Sequence, residues 1–183
     1  MVKVMEKRME GIPVFTPTYN RRKSLPRVFE SLKRQTFRDF IWIIVDDGST
    51  DDTKSLVVEF EKEADFKITY IYQENAGKHS AINRALQETT SELFLIADSD
   101  DSFMENALEV FIDTWESIPQ EERNQYKGVI AKCYNAEDGT PIGSYPQHMF
   151  DSNDLDAYFV KRLCFEKWNI VRTDVMKELP FPE

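Results

Sequence analysis

Four short apolar runs, at residues 12–16, 40–45, 68–72 and 93–97, alternate along this chain with segments whose apolar residues recur at helical spacing. Each run has five or six residues, is rich in Ile, Val, Phe and Tyr, and is mostly continuous rather than alternating. Strands buried on both faces of a parallel sheet read this way. Between the runs, residues 25–35 place Leu25, Val28, Phe29 and Leu32 on one helical face, residues 52–64 do the same with Leu56, Val57 and Phe60, and residues 78–88 form a third such segment. Amphipathic crossover helices on a sheet follow, so the expected class is α/β with a Rossmann-like, mostly parallel sheet flanked by helices.

Local signals mark the boundaries. Ser24 precedes Leu25 with Pro26 in the first turn, and Ser49 or Thr50 precedes the acidic Asp51-Asp52 opening of the next helix. After the fourth run come an expected helix at 105–115, a strand at 128–134, a loop with Gly139, Pro141, Gly143 and Pro146, helix or loop at 155–164, a strand at 168–172 and a helix at 174–179. A length of 183 residues favours one domain, read as 12–183 behind an N-terminal extension at 1–11.

Composition narrows the function. The 33 acidic residues outnumber the 23 Lys and Arg, and a net charge of −10 opposes nonspecific binding to nucleic acid or anionic lipid. Cys133 and Cys164 are too few for a disulfide framework or a Cys-based zinc site and read as packing residues, which points to the cytosol. His79 and His148 are the only histidines, so no His-based metal site or Ser-His-Asp triad is supported. No run approaches the ~20 residues of a membrane span, and 1–11 is too charged for a secretory leader.

Ligands of open parallel sheets bind beyond the carboxyl ends of the strands. Polar clusters stand at three of those ends: Thr16-Pro17-Thr18-Tyr19-Asn20-Arg21, Asp46-Asp47-Gly48-Ser49 and Asp98-Ser99-Asp100-Asp101. Two acidic clusters at one edge repel each other unless cations or donors intervene. The oxygens of Asp98 to Asp101 suit Mg²⁺ or Mn²⁺ shared with a phosphate; a solvated turn is the plainer reading. A carboxylate at Asp46 or Asp47 suits the imide N–H of uracil, or serves only the turn at Gly48. Tyr19 reads as an apolar wall for a base or as core packing, and Arg21 as a charge near phosphate. Lys78, His79 or Arg84, at the opening of the third helix, could meet a diphosphate, or could form a charged helix face.

Taken together, Pro17-Thr18-Tyr19-Asn20-Arg21, Val45-Asp46-Asp47-Gly48-Ser49-Thr50-Asp51, Asn75-x-Gly77 with Asn83, and Asp98-Ser99-Asp100-Asp101 resemble the family 2 glycosyltransferases of the GT-A fold, over about residues 12–115. That resemblance implies a nucleotide-binding part at 12–115 and an incomplete acceptor part at 116–183. It implies transfer of a sugar from a nucleotide diphosphate-sugar, usually a UDP-sugar, to a hydroxyl of a saccharide or lipid-linked acceptor with inversion, as in polysaccharide biosynthesis. By the same resemblance Asp100 coordinates Mn²⁺ or Mg²⁺ with Asp98 beside it, near the ribose and diphosphate. Asp46, Asp47 and the stretch from Thr16 to Arg21 hold the nucleoside, with Lys78 and Ser99 completing the nucleotide site.

The family's general base is an acidic residue placed after a strand and helix like those at 168–179, so it is expected beyond Glu183. The chain then reads as a fragment lacking acceptor-side residues and any membrane-binding helices, at work on the inner face of the membrane, with an exposed apolar edge suited to a homodimer. Three alternatives stand beside this. Asp98-x-Asp100-x-Ser102 after a strand imitates the nucleophile motif of haloacid-dehalogenase-like phosphatases, though the second acidic pair lies upstream rather than downstream. A noncatalytic nucleotide-sugar-binding module fits the absent base, and a nucleotidyltransferase would need a Gly-rich basic loop that the first strand lacks.

Overall fold

A computed structural model of the chain describes residues 11–143, 149, 151–153, 156 and 167–182. The expectations for 1–10, His148, Pro146, Cys164, Glu183 and most of 155–164 lie outside the described residues.

The strands are β1 (Ile12–Thr18), β2 (Phe40–Asp47), β3 (Lys67–Gln73), β4 (Leu93–Ile96), β5 (Gly128–Lys132) and β6 (Lys167–Arg172). The helices are α1 (Leu25–Lys33), α2 (Thr53–Glu63), α3 (Lys78–Gln87), α4 (Ala107–Glu116) and α5 (Thr173–Glu178). One sheet takes the order β3-β2-β1-β4-β6-β5. β1 pairs in parallel with β2 and with β4, and β2 with β3, whereas β6 runs antiparallel to β4. The class expected from the sequence is therefore found: a mixed α/β chain with a mostly parallel sheet flanked by helices.

The continuous apolar runs are explained by what lies on each face. In β2, successive side chains point to opposite sides. Trp42 stacks with Phe29 of α1 and Phe60 of α2, whose rings are also 4.1 Å apart. Ile43 and Val45 join Phe15, Phe94 and the α3 residues Ala81, Ile82, Ala85 and Leu86 in a second buried cluster. Each aromatic ring brings on the order of 150–250 Å² into such a core, so the two faces together fix the helices on the sheet. β3 departs from the expectation of burial on both faces: it is an edge strand, and most of its residues are half-buried.

Two compact units are distinguished, 1–128 with 170–183, and 129–169. In the second, the segment expected as a loop closes on itself: Tyr134 bridges Pro141, Ile142 N–H donates to the Cys133 carbonyl, and Gly139 takes a φ of 70° at the turn. In the first, α5 follows β6 directly, and Asn83 of α3 brackets the Phe181 backbone, donating to its carbonyl at 2.8 Å and accepting its amide at 3.1 Å. Among the described residues no helix is long and apolar enough to cross a membrane.

Candidate functional site

Because β1, β2, β3 and β4 are parallel, their carboxyl ends lie at one edge, and the loops after them meet there. Asp46 and Asp47 close β2, and alternation sends their side chains to opposite faces. Asp46, 1% exposed, accepts the Ser49 amide on Oδ1 at 2.8 Å and the Tyr70 hydroxyl on Oδ2 at 2.6 Å. Burial, and then the bond to this carboxylate, push the Tyr70 phenol far above its ordinary range. Asp46 thus holds the turn from within.

Asp47, 5% exposed, turns toward α3 and accepts three bonds: Gln73 Nε2 at 2.7 Å, Ala76 N at 2.9 Å and Gly77 N at 2.7 Å. A carboxylate offers about four acceptor sites, so one remains. Asn75 Nδ2 adds a bond to the Asp47 carbonyl at 2.9 Å. Gly48 has a φ of 85°, and a Cβ there would sit 2.9 Å from the Asn75 nitrogen, so the close approach of these loops requires glycine.

The loop after β4 is a turn in which the Asp101 amide donates to the Asp98 carbonyl at 3.0 Å and the Asp98 amide to Asp101 Oδ2 at 3.1 Å. Burial, followed by the neighbouring carboxylates of Asp98 and Asp100, raises the Asp101 carboxyl against the pull of its backbone bond. The donors anticipated between acidic clusters are present. Lys78 Nζ donates to Asp98 Oδ1 at 2.5 Å, Arg21 Nη1 stands 3.9 Å from Asp100 Oδ2, and Arg27 Nη1 donates to the Asp100 carbonyl at 3.3 Å.

The β1 end is tied sideways to the β2 end. The Asn20 amide donates to Ser49 Oγ at 2.8 Å, and Asn20 Oδ1 accepts the Thr50 amide at 2.8 Å and the Asp51 amide at 3.2 Å. Burial presses the Asp51 carboxyl upward, but bonds from the Thr53 hydroxyl, the Arg22 amide and the Thr53 amide outweigh it and hold the carboxyl below its usual value. Those bonds tie Asp51 to Thr53, the first residue of α2; the N-cap is Asp52, which makes no side-chain cap, and not Ser49 or Thr50 as the sequence suggested. Ser24 likewise makes no side-chain cap for α1: its hydroxyl donates back to the Arg21 carbonyl.

Of the residues singled out from the sequence, Tyr19 is 49% exposed, which removes the core-packing alternative. Pro17, Thr18, Tyr19, Asn20, Arg21, Asp47, Lys78, Asp98 and Asp100 share this edge. Thr16 does not reach it: fully buried, its hydroxyl accepts the Trp42 indole N–H at 2.9 Å. Ser99 is buried beneath the turn, and Arg84 pairs with Glu88 one helical turn on at 3.0 Å. The sequence reading missed Tyr70, Gln73 and Arg27, whose β-strand and helix positions carry no motif. Among the described residues no three His, Cys, Asp or Glu are disposed around one metal position. Asp98 and Asp100 offer hard, exposed oxygen donors, which suit a cation that takes its remaining ligands from phosphate and water.

Comparison with known proteins places this edge in context. The family model for glycosyl transferase family 2 matches residues 14–175. The chain is 30% identical over 133 residues to the GalNAc(5)-diNAcBac-PP-undecaprenol beta-1,3-glucosyltransferase of Campylobacter jejuni, covering 72% of this chain and 40% of that protein. It is 32% identical over 182 residues to the poly(ribitol-phosphate) beta-N-acetylglucosaminyltransferase TarS of Staphylococcus aureus, covering 96% of this chain and 30% of TarS. The crystal structure of TarS 1–349 in complex with UDP-GlcNAc matches with a TM-score of 0.63 at 25% identity, over 94% of this chain and 48% of that one. In fold alone, the mannosyltransferase PcManGT of Pyrobaculum calidifontis, solved with GDP-Man and Mn²⁺, matches with a TM-score of 0.68 at 20% identity, over 96% and 48% of the two chains. The chain thus spans half or less of the length of these relatives. The matched range includes Asp98 to Ser102, so these residues sit in a transferase framework and not in that of a phosphatase. With its sheet, its loops and a match across most of its length, the chain belongs to glycosyl transferase family 2.

Proposed function

We propose that this chain forms the donor-binding part of a glycosyltransferase that takes its sugar from a UDP-sugar and passes it, with inversion, to a hydroxyl acceptor. One observation carries the reading: a single loop joins the carboxylates after β2 to those after β4, since Asp47 accepts the amides of Ala76 and Gly77 while the next residue, Lys78, donates to Asp98. The acidic clusters therefore face a common space.

In that space Tyr19 is the wall for the base, and the unused acceptor site of Asp47 takes the uracil imide N–H, a donor that cytosine lacks at that ring position. The Thr18 hydroxyl, buried at the end of β1 with no hydrogen-bond partner among the described residues, gains one from the nucleoside. Lys78 and Arg21 meet the diphosphate. Their present pairs with Asp98 and Asp100 are exposed and worth about 0–1 kcal/mol, so exchanging carboxylate for phosphate costs little. Asp100, with Asp98, would hold Mn²⁺ or Mg²⁺, which when bound neutralises charge developing on the leaving diphosphate. The acceptor oxygen bonds to the anomeric carbon as the sugar–phosphate bond breaks, the electron pair leaves with the nucleoside diphosphate, and the hydroxyl proton passes to a base. The names of the relatives point to an undecaprenol-linked glycan or a polyol-phosphate polymer as the kind of acceptor, and so to work at the inner face of a membrane.

Calorimetry with UDP, with and without Mn²⁺, tests this. We expect Mn²⁺-dependent binding, loss of that dependence in Asp100→Asn, and an affinity change above tenfold, or about 1.4 kcal/mol. Equal isotherms for wild type and variant would remove the assignment.

A further inference from the structure

Among the described residues, Asn20 is the one non-glycine with a positive φ, 53°. Left-handed backbone disfavours side chains, and Asn and Asp tolerate it best. Here it aims the side chain across the site edge. Asn20 Oδ1 accepts from Thr50 N at 2.8 Å, Thr50 Oγ1 at 3.3 Å and Asp51 N at 3.2 Å, and Asn20 N donates to Ser49 Oγ at 2.8 Å. Two of these partners are backbone amides, which only donate, so the atom facing them is the amide oxygen. Arg22 extends the seam, its amide donating to Asp51 Oδ2 at 3.2 Å and its Nη1 to the Asp52 carbonyl at 2.7 Å.

The seam joins the loop that carries Tyr19 to the turn that follows Asp46 and Asp47. Asn20 is exposed, so its bonds are not needed to fill the core. We infer that Asn20 is a positioning residue: it sets the gap between the base wall at Tyr19 and the acceptor at Asp47 without itself touching the nucleotide. This rests on reading the edge as a nucleoside site.

Three substitutions separate its properties. Asn20→Ala loses both the acceptor and the tolerance of positive φ, Asn20→Gly keeps only the backbone freedom, and Asn20→Asp keeps both. The readouts are affinity for UDP, affinity for inorganic pyrophosphate, and amide exchange at Thr50 and Asp51 without nucleotide. With the three bonds to Oδ1 lost, Asn20→Ala and Asn20→Gly should bind UDP about tenfold more weakly and exchange both amides at least about tenfold faster, while pyrophosphate binding stays unchanged. Asn20→Asp should restore UDP binding and exchange. A direct contact predicts the reverse order, because a carboxylate facing the nucleotide loses the amide donor and repels phosphate; Asn20→Asp binding UDP more weakly than Asn20→Ala overturns the inference. So does unchanged exchange in Asn20→Ala, or equal loss of UDP and pyrophosphate. Absence of UDP binding by the wild type, with faster exchange in Asn20→Ala, would refute the nucleoside reading while upholding the clasp between the loops.

Discussion

Replacing Asp47 by Asn changes one atom, and the structure states what that atom must do. Oδ1 accepts Gln73 and Ala76, and Oδ2 accepts Gly77, all in a nearly dry setting. The Asn side chain has one oxygen. Kept on Gln73 and Ala76, it turns its NH₂ toward the Gly77 N–H, donor against donor. A buried donor left without a partner costs about 1–3 kcal/mol, and the two surviving bonds weaken because their acceptor is no longer ionised. The total is about 3 kcal/mol. With a urea dependence of roughly 2 kcal/mol/M, the unfolding midpoint should fall by about 1.5 M. If the loop detaches locally before the whole domain unfolds, the loss is read instead at the Gly77 amide, whose exchange should quicken by about a hundredfold. UDP affinity should drop as well. A midpoint within about 0.3 M of wild type together with unchanged exchange at Gly77 would refute the argument that this carboxylate holds the loop.

Other substitutions probe separate features. Gly48→Ala meets the Asn75 nitrogen at 2.9 Å in a left-handed backbone, so a loss of about 2 kcal/mol, or about 6 °C in Tm, is expected; an unaltered Tm would show that the turn can relax. Tyr70 has a folded-state pKa above its unfolded value, so its contribution is whole below about pH 10 and drains as pH rises beyond that. Wild type should therefore lose stability faster than Tyr70→Phe between about pH 10 and 11.5 in urea titrations, and parallel curves would count against the bond to Asp46. Lys78→Met should weaken pyrophosphate binding about tenfold in calorimetry while leaving Tm within about 2 °C, since the pair it breaks is exposed; a large fall in Tm with intact binding would assign Lys78 to the fold instead.

The elements were legible because each face of the sheet imposes its own period. The runs at 40–45 and 93–97 are buried on both sides and read as such. At 68–72 the same composition lies at an edge, because burial depends on which strands flank it, and strand order is not written in a local pattern. β1 extends past Pro17, where a sequence reading stops it. Pairing with β4 covers only Val14 and Phe15, so Pro17 lacks nothing by having no N–H on that side. At the site, residue types and spacing marked the right loops but not the division of labour within them. That Asp46 faces Tyr70 while Asp47 faces the loop before α3 follows from strand alternation plus the position of a third strand. That Asn20 reaches residues 49–51 depends on one backbone angle.

β1 lies between β2 and β4, yet β4 is made about 50 residues after β2 ends. On a ribosome adding roughly 5–20 residues per second, β1, β2 and β3 emerge and can zip together while one flank of β1 waits some 2–10 s for its neighbour. The waiting flank includes the Phe15 carbonyl that later accepts Ala97 N–H, beside the apolar side chains of Val14 and Phe15. Pro17 removes one donor from that flank, but the strand is uncharged and its Phe15 N–H and carbonyl are left to template association between nascent chains. Slow translation through residues 48–92 should therefore lower the soluble yield, and trigger-factor-type holdases should raise it.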